Sequence, residues 1–592
     1  MMGVVDPNRI ASVGADVLLP CGMLLGQLNS KLPVWLTPLW VISMGLLLGI
    51  ILLVVLLGLL SALSFTPIGK IADSPRAGRI ASLGLGSVIS ATLLATLLRQ
   101  GGENRQMLIL PLVTLGLMLG FAVIYGAWHR TWRELVEIAK EGVVPYMLGT
   151  AGAFAALGLL GTFVVQNPGE ILGSVRQVNL VGEGADVVTL ALQAAPADVQ
   201  NPDDIPFQKV ELDYNLFNVA ELTIESDKTI TIADGGKPAD FVQTPVRVNA
   251  GEPIRYLREN RDFPPLPLDP ASVYMQNREV DPATVKLSFV TRPTVPEAIS
   301  IPIVAAGFFL FLLGYLTLRQ AAPRLSAVAH ATAKSEMSQP LYKLLLLIGV
   351  FGILLFGILP FNTLGEDIRL MKDSCVTLIM VLGMVQAVWS AGQSVSDEIE
   401  GKTALTVLSK PISRGAFLIG KYVGIMLTVL VLFAILTAIF MVVLSYKPIY
   451  DARESSNEMP GWQISHEELM TSLPALALYF METMAIGGIA VALATRVPLL
   501  ANFVICFVIY VIGNLTAPIV RSTVGENELV GFFGKLIAVV IPNLNTFNVQ
   551  SAVDAGNPIP PIYLAGAFTY LFFFSVMILM LALLMFEERD LA

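Results

Sequence analysis

Histidine and cysteine are almost missing from this 592-residue chain, with three of each. Cys21, Cys375 and Cys506 stand far apart in or near apolar runs, which excludes a disulfide framework or a cysteine-built metal site. His129, His330 and His466 fall in segments read as loops, so a serine inside an apolar run has no imidazole base beside it. "SHEEL" at 465–469 hints at zinc, but the histidine required four residues after His466 is Met470. Paired aspartates suited to intramembrane proteolysis are also absent. Charge is scarce as well: 14% of residues are charged and 55% hydrophobic, where a soluble domain carries about 25% charged residues. These shortages exclude an ordinary soluble enzyme and describe a polytopic membrane protein. No basic stretch followed by a short apolar core and a small-residue cleavage site opens the chain, so targeting is expected to fall to the first spanning helix.

What is abundant is long apolar runs. A helix needs about 20 apolar residues to cross a bilayer, and runs of that kind lie near 40–63, 80–98, 107–127, 145–165, 299–318, 341–361, 375–393, 416–445, 471–495, 498–520 and 562–586. Residues 10–28 are apolar too, but Asp16 and Pro20 in mid-run favour an interfacial or half-inserted segment over a twelfth span. Lys and Arg cluster in alternate loops (Lys70, Arg76, Arg79; Arg130, Arg133, Lys140; Arg319, Arg324, Lys334, Lys343; Lys402, Lys410, Arg414). Such loops stay in the cytoplasm. The acidic loop 446–470 and the polar block 166–298 are then expected outside.

Residues 166–298 differ in kind. Alternating stretches at 209–214, 221–233, 245–250 and 284–292 predict short half-buried strands, and a small β-sandwich is the natural fold. Acidic residues exceed basic ones there by about nine, so the chain's formal net charge of −9 resides in this block. Its charge serves solubility first, with a cationic partner or metal ions as the functional alternative. The expected fold class is an all-α polytopic membrane protein of about 11 transmembrane helices with one extracytoplasmic β-rich domain. Its parts are an N-terminal membrane region (1–165), the acidic β-rich domain (166–298), a fifth span with a cytoplasmic linker (299–340) and a six-helix domain (341–592).

Gly401-Lys402-Thr403 resembles the end of a phosphate-binding loop, but Ser396 stands where the first glycine belongs. Asp397, Glu398 and Glu400 between them would repel a triphosphate. The stretch instead predicts a cytoplasmic helix between two spans, capped by Ser394 or Ser396, with its acids in the first turns and Lys410 at the far end. Pro411 then breaks the run, and a second helix starts by about Gly415 and carries Lys421 inside. Such a charged elbow can receive a push from a cytosolic partner.

Residues 398–424, "EIEGKTALTVLSKPISRGAFLIGKYVG", resemble the signature of type-2 ATP-binding-cassette exporter permeases, closest to the copper-enzyme-maturation and gliding-type subgroup. Glu398, Glu400, Gly401, Thr403, Leu408, Ser409, Pro411, Ile412, Ser413, Arg414, Gly420 and Lys421 match that pattern, with Lys402 an insertion before the threonine. The resemblance covers residues 341–586. It includes a proline-broken outer segment, 539–553, with Pro542, Asn543 and Asn545, that looks like the family's pair of re-entrant helices. It implies a permease that binds no cofactor itself, paired with an ABC ATPase subunit that holds ATP and Mg and docks on an elbow formed by Glu398, Glu400, Gly401, Lys402, Thr403, Ser409, Lys410, Pro411, Arg414 and Lys421. A second permease copy or a homologous permease would complete the transporter in the bilayer of the bacterial cytoplasmic membrane, with no nucleic acid involved. The competing reading is a membrane-tethered scaffold acting through its outer domain.

Glu482 lies midway along a span, where a carboxylate is costly unless neutral, paired or wetted. It either belongs to a transport path or hydrogen-bonds a neighbouring helix near Thr483 or Asn514. Gly487 and Gly488 suggest close helix packing. The 21 methionines are dispersed through the spans and read as filler.

Overall fold

A computed structural model describes residues 7–66, 68–100, 105–128, 130–140, 142–178, 186–196, 205–214, 216, 218–257, 265–267, 269–359, 366–396, 413–523, 542–549 and 559–587, with residues 7–30 described by their helix alone. The chain divides into two compact units, one formed by Met1–Val165 with Ser300–Ala592 and the other by Gln166–Ile299.

In the first unit, backbone amides that cannot reach water inside a bilayer must bond within their own segment, so the apolar runs fold as helices. Among the described residues, ten helices are long and apolar enough to cross a membrane. They are α1 (Pro7–Ala62), α3 (Pro75–Gln100), α4 (Gln106–Gly126), α6 (Val144–Gly161), α8 (Ser300–Ala321), α10 (Pro340–Ile358), α11 (Asp367–Ala391), α12 (Arg414–Glu454), α13 (Trp462–Ala494) and α15 (Pro561–Glu587). The eleventh expected run is α14 (Leu499–Thr523), whose described apolar part is Leu499–Leu515. Residues 10–28 continue the helix of the first span, and the apolar crossing starts at Lys31. Shorter helices are α2 (Ile68–Ile71), α5 (Thr131–Lys140), α7 (Pro168–Val175) and α9 (Pro323–Ser338).

Small residues set the close contacts, because helices in lipid associate by backbone approach rather than by exclusion of water. A Cβ on Gly45 or Gly49 of α1 would lie within 2.8 Å of Val304 Cβ or the Ala305 carbonyl oxygen of α8. In α3, Ser90 Oγ donates to the Gly86 carbonyl of its own turn at 2.8 Å and to Val113 of α4 at 3.1 Å. The N-terminal helices are also tied to the later ones. Trp35 Nε1 donates to the Val442 carbonyl of α12 at 3.1 Å, and Ser445 Oγ returns a bond to the Trp35 carbonyl at 2.6 Å.

Two expected loops are helical instead. The basic linker after the fifth span is α9, whose buried Ala329, Thr332, Ala333, Glu336 and Met337 recur at three- and four-residue spacing, so that one face packs inward. The acidic loop 446–470 shrinks to residues 455–461. Its ends extend α12 to Glu454 and begin α13 at Trp462, since Lys447 pairs with Asp451 one turn on at 2.9 Å and His466 is buried against Trp462.

Among its described residues the second unit holds eight strands: β1 (Asp186–Leu192), β2 (Gln208–Lys209), β3 (Val219–Ser226), β4 (Ile230–Ala233), β5 (Val246–Val248), β6 (Ile254–Leu257), β7 (Tyr274–Asn277) and β8 (Ala283–Thr291). They form two antiparallel four-stranded sheets of order β1-β8-β3-β6 and β2-β7-β4-β5. Leu222, Ile224, Val285 and Leu287 of one sheet share a core with Ile230, Ile232, Val248 and Met275 of the other. The alternation in β8 is clear: Ala283, Val285, Leu287 and Phe289 are buried while Thr284 and Lys286 face water. The strand expected at 209–214 is only Gln208–Lys209. Beyond it Tyr214 turns inward, and its hydroxyl donates to the Pro267 carbonyl at 2.6 Å.

Candidate functional site

The acidic elbow falls on residues 397–412, outside the described residues, and with it Glu398, Glu400, Gly401, Lys402, Thr403, Ser409, Lys410 and Pro411. Its two anchors are described. On the upstream side α11 ends in a π turn, Gly392–Ser396. Ser394 does not cap a new helix there, because its Oγ donates to the Ser390 carbonyl one turn back at 2.6 Å. On the downstream side Ser413 is extended and its Oγ accepts from the Ala416 amide at 3.2 Å, the N-cap arrangement that satisfies an orphan helix donor. α12 therefore begins at Arg414, one residue before the expected start.

Arg414 Nη1 donates to the Glu587 carbonyl at 3.2 Å, and Arg496 Nε donates to the Met585 carbonyl at 2.8 Å. Both cations thus sit at the last turn of α15, where unpaired carbonyls and the helix dipole favour positive charge. One turn into α12, Phe417 stacks on Phe586 with ring centroids 6.0 Å apart, and the buried Lys421 ammonium lies 5.6 Å from the Phe417 ring centroid.

α9 joins the two anchors. A Cβ on Gly420 would stand 2.8 Å from Val328 Cβ, and one on Gly424 would stand 2.5 Å from the Ala329 carbonyl oxygen. Only glycine lets α9 lie this close to α12. Two turns further along α9, Glu336 is 2% exposed, and Ser390 Oγ of α11 donates to its Oε2 at 2.7 Å. Gln386 Nε2 donates to Ser390 Oγ at 2.8 Å, and Trp389 Nε1 donates to Gln339 Oε1 at 3.3 Å. A buried carboxylate on α9 therefore holds the last turns of α11, immediately before the π turn.

The other candidates lie deeper or at the far end. Glu482, 1% exposed on α13, accepts a bond from Asn514 Nδ2 of α14 at 3.0 Å, and Asn514 Nδ2 also donates to the Tyr510 carbonyl at 3.2 Å. Of the two sequence readings, the geometry supplies the interhelical bond. Gly487 packs against Met426 and Ala387, and Gly488 against Ile578 and Tyr422. In the outer segment Pro542 is buried, Asn543 is exposed, Asn545 is half-buried and residues 544–546 form a single 3-10 turn. The Asn543 amide donates to Tyr570 Oη at 2.9 Å, Tyr563 Oη donates to the Thr546 carbonyl at 2.7 Å, and Pro542 and Leu544 lie against Gly513 of α14. The expected helices on either side of this turn fall largely outside the described residues.

Sequence reasoning missed Glu336, Gln386 and Ser390. It also missed a part-buried pair, the buried Lys372 of α11 with the half-buried Glu468 of α13, whose Nζ and Oε2 are 2.6 Å apart, with Thr471 Oγ1 accepting from the same ammonium at 3.2 Å. The signal for Glu336 was present in the periodic small residues of α9. No periodic signal marks Gln386, Ser390 or Lys372: Ser390 and Lys372 take partners 54 and 96 positions away, and Gln386 matters only through Ser390 one turn on.

A search of the curated proteins finds no match to this chain. A family model described as ABC-2 family transporter protein matches residues 44–591. That span takes in the later part of the first membrane crossing, the next four crossings and the β-rich unit as well as the six later helices, so the likeness extends far upstream of residue 341. Covering nearly the whole chain, it makes this multi-pass membrane protein a member of the ABC-2 transporter family, a membrane permease subunit of an ABC transporter.

Proposed function

We propose that this chain is the permease of an ATP-driven exporter and that a separate ABC ATPase, carrying ATP and Mg, docks on residues 397–412. The observation that supports this reading best is α9, bound to both helices that flank the docking segment: by Glu336 to Ser390 on α11, and by close approach to Gly420 and Gly424 on α12. A displacement of the segment then moves α11, α12 and α9 together. Rigid helices that shift as packed units turn a local push into a rearrangement of the bundle. The chemistry stays on the partner, and this chain supplies anchors, a lever and a path through the membrane. A second permease copy or a homologous permease completes the transporter. The basic loops set the orientation, with the elbow in the cytoplasm of a bacterial cell and the acidic β-rich unit outside the inner membrane.

The test is affinity purification of the tagged chain in mild detergent, followed by an ATPase assay of what accompanies it. With Glu398→Ala and Glu400→Ala together, the ATPase is expected to be lost while the chain still elutes as a folded species. Undiminished recovery of the ATPase with the double variant would overturn the docking assignment.

A further inference from the structure

A second site lies away from the elbow. A cavity of about 800 Å³ opens among the start of α3, the end of α4, the end of α8 and the length of α9. Its wall carries Arg79, Arg130, Arg319 and Lys334. Asp73 also lines it and accepts a bond from Trp128 Nε1 at 2.9 Å, while Glu137 lies 3.4 Å from the Arg319 guanidinium. The positive charge still predominates, because Arg79, Arg130 and Lys334 have no carboxylate partner among the described residues.

Gln320 adds a second, independent sign of a ligand. It lines the cavity, it is only 7% exposed, and neither its amide nitrogen nor its oxygen has a hydrogen-bond partner among the described residues. A buried amide left unpaired is costly, and in a native fold it calls for a partner that the described residues do not provide.

Depth identifies the ligand. Arg79 is in the first turns of one span, Tyr125 closes another and Arg319 and Gln320 close a third, so the cavity lies where three membrane crossings end. Tyr125 and Trp128 face it, as aromatic residues do at the headgroup level, and Arg130 stacks 5.7 Å from the Trp128 ring centroid. A basic pocket between helix ends at this depth suits a phosphate that is already held in the membrane.

We propose that this cavity binds the headgroup of an anionic phospholipid, its phosphate among Arg79, Arg130 and Lys334 and its polar headgroup oxygens on the Gln320 amide. A bound lipid would tie α9 to the ends of α3, α4 and α8. Since α9 also holds both anchors of the elbow, lipid composition would set how firmly that lever is seated. The binding site itself does not depend on the transport reading.

The test uses the full chain, purified in a nonionic detergent and titrated with phosphatidylglycerol, phosphatidylcholine or sn-glycerol 3-phosphate. The thermal midpoint is followed, and retained lipid is counted by native mass spectrometry. Phosphatidylglycerol is expected to raise the midpoint and remain bound, and the other two to do neither. Arg79→Gln with Arg130→Gln, both exposed, is expected to weaken phosphatidylglycerol binding about 25-fold, at about fivefold per cation. The charge-matched control Arg369→Gln with Arg453→Gln should leave binding unchanged, and Gln320→Leu should weaken it while all the cations remain. Equal stabilisation by phosphatidylcholine would overturn the proposal, as would a full effect of glycerol phosphate alone, which would mean a free anion site. Unaltered binding by the Arg79/Arg130 variant would overturn it too.

Discussion

The two units differ in the polar side chains they bury. In the β-rich unit they reach for backbone: Tyr214 donates to the Pro267 carbonyl, Gln276 Nε2 to the Ile205 carbonyl at 2.6 Å, and Asn277 Nδ2 to the Asp281 carbonyl at 2.7 Å. Short strands and irregular connections leave carbonyls unused by any ladder, and these side chains satisfy them. In the membrane unit Trp35, Ser445 and Ser90 also reach helix carbonyls, but the buried charged groups Glu336, Glu482 and Lys372 bond to side chains of other helices. Glu336 takes Ser390, Glu482 takes Asn514 and Lys372 takes Glu468. Neutral polar side chains thus use backbone carbonyls in both units, while the buried charges of the membrane unit rest on a small set of paired commitments between helices.

The heaviest blow to that contrast should come from the seam that seats Glu336. Gly424→Leu puts a side chain into the Ala329 carbonyl and Thr332, and overpacking of about 3 kcal/mol or more should leave little monodisperse protein on size exclusion. Gly149→Leu, at a site where an added Cβ meets nothing within 4 Å, should elute normally; if both variants behave alike, the seam has no special role. Next in size, Glu336→Ala strips Ser390 of its acceptor and should cost about 1–3 kcal/mol in thermal unfolding in detergent. Glu336→Gln, which keeps an acceptor, should recover most of it, and partner-dependent ATPase activity should follow the same order.

A smaller effect is expected in the other unit. Tyr214→Phe removes one buried hydrogen bond, about 1 kcal/mol, as read from the melting of the β-rich unit. Burial, and secondarily the nearby Asp269 charge, raise the Tyr214 hydroxyl above its ordinary value. The folded state thus keeps this proton longer than the unfolded chain does. Its contribution is fully present below about pH 10, the unfolded value, and is lost as pH rises beyond that. The wild-type unit should lose stability more steeply above pH 10 than Tyr214→Phe. The smallest change should be Glu482→Gln, which preserves an acceptor for Asn514. Interhelical bonds of this kind average about 0.6 kcal/mol, so thermal unfolding should barely shift, while a larger loss would mean that the carboxylate itself is required.

The ten crossings among the described residues were legible because the physics behind them is local: length and apolarity decide whether a segment spans. Strands β3, β4, β5 and β8 were legible by alternation, and the Glu482 and Asn514 pairing was within reach because each is a polar residue in an apolar run. What escaped was non-local. "KVELDY" alternates well, but after Lys209 the chain leaves the sheet and spends Tyr214 on a distant carbonyl. The residues 319–340 read as a basic loop because charge drew the eye from the small-residue stripe at Ala329, Thr332 and Ala333. His466 looked solvated because the acids around it suggested a loop, whereas α13 begins at Trp462 and turns the ring inward.

The π turn at Gly392–Ser396 has a geometric corollary. Such a turn stores one residue more than an α-helical turn. Were it to relax into regular helix, everything beyond Ser396 would swing by about 100° around the axis of α11 and shift along it by about 1.5 Å. The lever's pivot thus contains a ready unit of rotation, reached by exchanging a few backbone bonds.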